Sequence, residues 1–145
     1  VIQINTLHPK TGDWPAQDIA DFIRLNAAFN DVTLTPAQVQ ANLRAGNEHV
    51  ILVELDGQAC GFACLQIWTQ VCYATPSAEV TELYVAPFAR RHGVGKALMM
   101  QAMQMAREAG AHEIKVATGT DNAAAQALYR SLGFEEDDVL LLKFL

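Results

Sequence analysis

Two stretches of this 145-residue chain hold residues whose types and spacing could do chemistry. The first is Arg90-Arg91-His92-Gly93-Val94-Gly95-Lys96. Two arginines and two glycines stand where a helical pattern begins, and the first N–H groups of a helix have no internal partner and carry its positive dipole end. Glycine lets a ligand come close to the backbone. The combination is an anion site, and a diphosphate is its natural guest. A P-loop is excluded, because only one residue separates Gly93 from Gly95 and Lys96 is followed by Ala97. The dinucleotide fingerprint is excluded too, because Leu98 stands where it needs a third Gly or Ala. The second stretch is DNAAAQALYRSLGF, residues 121–134. Its Tyr129 has a phenol that titrates near about 10, so at neutral pH it holds a proton it can donate. Just upstream of the loop lie two acids that could accept a proton, Glu79 and Glu82. They are three residues apart on one strand, so alternation sends them to opposite faces unless a bulge intervenes.

These residues need elements to hold them. Residues 79–85 read as a strand, with Val80, Leu83, Tyr84 and Val85 β-branched, apolar or aromatic, and Pro87 ends it. Val94, Leu98, Ala102, Met105 and Ala109 recur with helical period, and Gly110 stops that helix. Met99, Met100, Met103 and Met105 read as helix packing. Upstream, Ile2–Asn5 reads as a strand and residues 8–15 as a loop. Ile19, Phe22, Ile23 and Ala27 form a helix face broken at Asn30-Asp31. Thr35-Pro36-Ala37-Gln38 is a capping box opening a second helix that stops at Gly46. His49–Leu55 and Gln58–Trp68 read as a hairpin around Asp56-Gly57. A loop, 69–78, leads into the Glu79 strand. Glu113–Ala117 reads as a strand, the Tyr129 helix is capped by Asp121 or Asn122 and closed by Gly133, and Val139–Leu145 reads as a final apolar strand. The order is that of a mixed sheet with helices on both faces, a single α/β domain over 1–145.

Composition narrows the function. Half the residues are hydrophobic, 51%, and the net charge is −6, so the chain is globular and lacks the basic face that nucleic acid needs. No apolar run reaches membrane-spanning length and no signal peptide opens the sequence, so no membrane partner is expected. The cysteines are Cys60, Cys64 and Cys72. An odd count with two on one strand points to a reducing compartment, the cytoplasm, and to no disulfide. Cys60 and Cys64 read as small buried hydrophobes, and neither they nor His49 and His92 assemble a metal site.

Arg90-x-x-Gly93-x-Gly95 after a proline-ended strand, followed downstream by Asn122, Tyr129 and Gly133-Phe134, resembles the GNAT acyltransferases. The resemblance is good over residues 50–145 and coarse before them. It implies a mostly antiparallel sheet with a splayed central strand pair, here 79–85 and 113–117. It implies acetyl-CoA as co-substrate, bound by Leu83, Tyr84, Val85, Arg90, Arg91, His92, Gly93, Val94, Gly95, Lys96, Asn122 and Ala125. In the family an amine attacks the thioester directly. Tyr129 would then protonate the departing thiolate, and a backbone N–H near Leu83–Val85 would hold the oxyanion. Glu79 matches the position used by histone-acetylating members. Glu82 matches an acidic position common among members acting on small amines, and is the preferred base. Asp31, Trp68, Tyr73 and Tyr84 would line the acceptor, bordered by the 69–78 loop and the 29–34 turn. The expected activity is acetylation of a small amine such as a polyamine, amino sugar or aminoglycoside. A protein or peptide acetyltransferase and an acyl-CoA-binding sensor are the alternatives. A homodimer is compatible with the resemblance.

Overall fold

The computed structural model describes residues 1–145. The chain forms two compact units, Val1–Lys115 and Val116–Leu145. In the first unit the order is β1 (Ile2–Leu7), α1 (Ala16–Asn30), α2 (Pro36–Ala45), β2 (Glu48–Leu55), β3 (Gln58–Trp68), β4 (Ser77–Val85), a 3-10 turn at Pro87–Ala89 and α3 (Val94–Glu108). Strand β5 (Ile114–Val116) closes it, its last residue opening the second unit. The sheet is mixed and mostly antiparallel, in the order β1-β2-β3-β4-β5. The pairs β1–β2, β2–β3 and β3–β4 are antiparallel.

Local sequence explains the joints. Thr35 accepts from the Gln38 N–H while the Gln38 side chain accepts from the Thr35 N–H, and Pro36 opens α2. Asp56 and Gly57 both have positive φ, 51° and 82°, as a two-residue hairpin turn requires. Asp31 ends α1 in the left-handed region. Gly46 ends α2 in extended backbone and not in a left-handed turn, and a Cβ there would stand 3.3 Å from the Asn42 carbonyl oxygen.

Each face of the sheet has its own helices. Residues paired across strands share a face. Leu7, Val50, Leu52, Phe62 and Cys64 form one buried cluster with Ile19, Phe22 and Leu25 of α1 and Val39 and Leu43 of α2. Ile51, Val53, Ala63, Leu65 and Val80 are buried on the opposite face, and α3 packs against β2, β3 and β4. Of the apolar stripe read from sequence, Val94, Leu98, Ala102 and Met105 are buried, whereas Ala109 is exposed as the C-cap. Met99 is buried and Met100 exposed.

The second unit holds α4 (Ala123–Ser131). Asn122 and not Asp121 is its cap: the Asn122 side-chain oxygen accepts from the Ala125 N–H at 3.1 Å. The expected strand at Val139–Leu145 does not form. Residues 134–145 have no ladder partner, and Val139, Leu140, Leu141, Leu142, Phe144 and Leu145 are all exposed. The run is apolar without alternation, so nothing in it fixes a face or a register, and four consecutive acids, Glu135–Asp138, precede it.

Candidate active site

The expectation that Glu79 and Glu82 face opposite ways is overturned by a bulge. Cys64 stands opposite Glu82 and Gln66 opposite Glu79, yet two steps on β3 match three on β4, and the register shifts between Cys64 and Leu65. Thr81 is the extra residue. Both carboxylates therefore lie on the α1–α2 face.

Only Glu82 borders a cavity. This space, about 200 Å³, lies between the sheet and helices α1 and α2. Its apolar walls are Phe22, Leu34, Val39, Leu43, Val50 and Phe62. Its polar lining is Asn26, Asn42, Glu48, Cys64 and Glu82. Thr81, on the bulge, donates its hydroxyl to Glu48 Oε1 and, more weakly, at 3.4 Å to the Cys64 carbonyl. Asn30 reaches Glu82 Oε1 at 3.4 Å and donates to Asn26 Oδ1 at 2.8 Å. Burial pushes the Glu82 carboxyl above its ordinary range, the Glu48 charge adds to that, and the Asn30 hydrogen bond opposes it. A carboxylate so placed holds a proton more readily than an exposed one, a property that proton transfer can use. The Cys64 thiol is pushed well up, by burial and then by Glu48 and Glu82. It is therefore protonated and no nucleophile.

Strand β4 leads from this cavity directly to the cationic loop. Leu83, Tyr84 and Val85 are half-buried at the strand's end. Strand β5 has three residues against nine in β4, so it can pair with only part of that edge. Arg90 turns back, its Nε donating to the Val85 carbonyl at 3.2 Å. Arg91 has φ 66° and Gly93 φ 77°, a contorted approach to α3. Gly93 is the N-cap and offers no side-chain cap, so the N–H groups of Val94, Gly95 and Lys96 are open to a ligand. A Cβ built on Gly93 would meet nothing within 4 Å, and Arg91, His92 and Lys96 are exposed around this end. Open donors ringed by cations fit a diphosphate.

In the second unit Tyr129 is buried, and its ring lies 6.0 Å from that of Phe134. The Phe134 N–H donates to the Tyr129 carbonyl at 3.0 Å, with Gly133 at φ 93° making the turn. Burial raises the phenol pKa, so Tyr129 is protonated at neutral pH.

Residues 15–134 match the model of the acetyltransferase (GNAT) family. The chain belongs to that family of acetyl-CoA-dependent N-acetyltransferases. It is 30% identical over 99 residues to an uncharacterized N-acetyltransferase of Methanocaldococcus jannaschii, covering 68% of this chain and 44% of that one. It is 39% identical over 89 residues to an aminoglycoside N(6')-acetyltransferase type 1 of Klebsiella aerogenes, covering 60% and 59%. The chain thus spans about half the length of these curated relatives. A crystal structure of an aminoglycoside N-acetyltransferase in complex with CoA shares the fold, with a TM-score of 0.78 at 20% identity, over 100% of this chain and 95% of that one.

Set in this GNAT fold, the other sequence candidates are scattered. Asp31 is exposed at the end of α1, Trp68 is the half-buried last residue of β3, and Tyr73 is exposed in the 69–76 loop. That loop is tied down where Thr75 hydrogen-bonds His112 Nδ1. Tyr84 stacks on Phe29, ring centroids 5.0 Å apart. None of these four lines the cavity; from the 29–34 turn, Leu34 does. Sequence reasoning missed Glu48, Asn26 and Asn42. Glu48 could have been found as a charge opening a strand that the hairpin register sets two strands from Glu82, with only β3 between them. No helix is long and apolar enough to cross a membrane.

Proposed function

We propose that residues 1–145 act as one acetyltransferase domain, moving the acetyl group of acetyl-CoA to a primary amine of a small cationic acceptor: a polyamine, amino sugar or aminoglycoside. The observation that carries this is the path of β4. One strand presents Glu82 to the cavity and ends in the open loop at the α3 N-terminus. In the proposed assignment Arg90 to Lys96 hold the diphosphate of CoA, whose thioester supplies the acyl group.

The chain's own groups then meet the three demands of the reaction. Glu82, directly or through one water, takes a proton from the acceptor's ammonium, freeing its lone pair. The nitrogen attacks the thioester carbonyl carbon, and a backbone N–H among Leu83–Val85 receives the charge on oxygen. The carbon–sulfur bond breaks, and the thiolate takes the Tyr129 proton. Amine binding is favoured by a chain of net charge −6 with two carboxylates at the cavity. We further propose a homodimer, since the exposed apolar run Val139–Leu145 is the kind of surface that a second copy covers; light scattering across a concentration series reads this directly.

The test of the activity is thiol release from acetyl-CoA with a panel of polyamines, amino sugars, aminoglycosides and peptides, with the acetylated product identified by mass. Acetyl-CoA binding with no acetylated amine in the panel sinks the transferase reading. Acetylation of peptides alone transfers it to a protein acetyltransferase.

A further inference from the structure

We infer that Glu48 and Glu82 together clasp the acceptor's ammonium, and that the rest of the acceptor is a hydrocarbon arm lying in the apolar cavity between α1, α2 and the sheet. This rests on the acetyltransferase reading and narrows its acceptor to amines whose buried arm is hydrocarbon, away from amino sugars.

The first ground is charge. The cavity lining holds two carboxylates and no Lys, Arg or His. Neither carboxylate is in an ion pair elsewhere in the chain. Each has one oxygen engaged, Glu48 Oε1 by Thr81 and Glu82 Oε1 by Asn30, and no donor reaches either Oε2. Two like charges in one partly desolvated place repel, and a cation with several N–H donors relieves both at once. An ammonium has three donors, enough to bond each free oxygen and leave one over, and the proton given up is the one that Glu82 binds. Thr81 owes its reach to Glu48 to the bulge, so the feature that aims Glu82 also holds Glu48.

The second ground is the wall. Six of the lining side chains are hydrocarbon or aromatic: Phe22, Leu34, Val39, Leu43, Val50 and Phe62. A methylene chain against them gains by leaving water. A sugar ring would bring several hydroxyls, each needing a partner when buried. Only Asn26 and Asn42 could serve beyond the acids, and Asn26 Oδ1 already accepts from Asn30.

Calorimetric titration of the whole chain in the presence of unacetylated CoA tests this, with pentylamine and glucosamine, each carrying one ammonium, as probes. Pentylamine should bind at least tenfold more tightly than glucosamine. Glu48→Gln should weaken pentylamine at least tenfold at low salt and less at high salt, while leaving CoA affinity unchanged; Glu48→Asp, which keeps the charge, should recover part of the loss. In turnover assays Glu48→Gln should raise the KM for the amine more than it lowers kcat. Glu48 is exposed at the rim, so the variants are expected to fold, and a melting curve checks it. Glucosamine binding as tightly as pentylamine overturns the hydrocarbon arm, and an unaltered pentylamine affinity in Glu48→Gln overturns the clasp. Pentylamine bound as stated, with no amine acetylated, upholds the clasp and sinks the transferase reading. Acetylation of glucosamine with pentylamine left unbound does the reverse.

Discussion

Glu79 and Glu82 project from the same face of β4 although three residues separate them, because Thr81 is bulged out of the ladder between them. Sharing a face does not make them equivalent. Glu82 borders the cavity with Glu48, and Glu79 does not. Glu82→Gln is therefore expected to cut turnover by roughly two orders of magnitude, as loss of a general base does, with Glu79→Gln close to wild type. A crippled Glu79→Gln beside an active Glu82→Gln reverses the assignment and favours a protein substrate.

The pH profile gives an independent reading of the same site. A base works only when ionised, and Glu82 is raised by burial, then by Glu48, against the Asn30 hydrogen bond. The acid limb of kcat/KM should thus lie above the ordinary glutamate range and move down in Glu48→Gln. The groups facing Glu82 from the packed elements are Glu48 on β2, the neutral Cys64 thiol on β3 and Asn30 on α1. Stability has the opposite sign. The folded state holds this proton to higher pH than the unfolded chain, so stability from Glu82 is present below the unfolded pKa and falls as pH rises toward the raised one. Thermal melts across that window should show a shallower decline in Glu82→Gln.

The proposed phosphate loop makes a separate demand. Gly93 has a positive φ, so Gly93→Val strains the backbone and confuses folding with binding. Gly95 lies inside α3 and outside the set of positive-φ residues, which makes Gly95→Val the cleaner variant. It should raise the acetyl-CoA dissociation constant at least tenfold, about 1.4 kcal/mol, by holding the diphosphate off the N–H groups. Equal affinity in a folded Gly95→Val, measured by calorimetry, removes this loop from the cofactor site.

What was legible in the sequence was what local pattern dictates. Thr35 to Gln38 announces its capping box, Asp56-Gly57 its hairpin, and Val94 to Met105 a helix face. The apolar run at Val139–Leu145 misled because pairing is non-local, and an unalternating run names neither partner nor register. The faces of Glu79 and Glu82 were illegible for a related reason. Thr81 is an ordinary strand residue, and its bulge arises from how β4 meets β3. Glu48 was missed because a carboxylate at the start of a strand looks solvated until the register sets it beside Glu82.

Tyr129→Phe isolates the proton that Tyr129 is proposed to give the thiolate. The ring stays buried against Phe134 and only the hydroxyl goes. Because burial raises the phenol pKa, the acid is fully protonated across the working range and should impose no limb of its own near neutrality. Turnover is expected to fall by about two orders of magnitude with acetyl-CoA affinity retained. Near wild-type turnover in a single-turnover experiment means that solvent protonates the thiolate.

Gly61→Ala probes the strand pair that would support the proposed oxyanion donors. A Cβ at Gly61 would stand 2.7 Å from the Tyr84 carbonyl oxygen and 3.3 Å from a methyl of each of Val53 and Val94. The oxygen is backbone and cannot rotate aside, so β4 must move away from β3 beside Leu83–Val85. Overpacking of this sort costs about 1–3 kcal/mol, which lowers Tm by a few degrees per kcal/mol in a chain of this size. The same displacement disturbs the Ala86 N–H bond to the Cys60 carbonyl, 2.7 Å, and with it the backbone between the cavity and the phosphate loop. Turnover measured well below Tm should therefore fall more than acetyl-CoA affinity does. A variant that melts lower but turns over normally places the oxyanion donors elsewhere than on this end of β4.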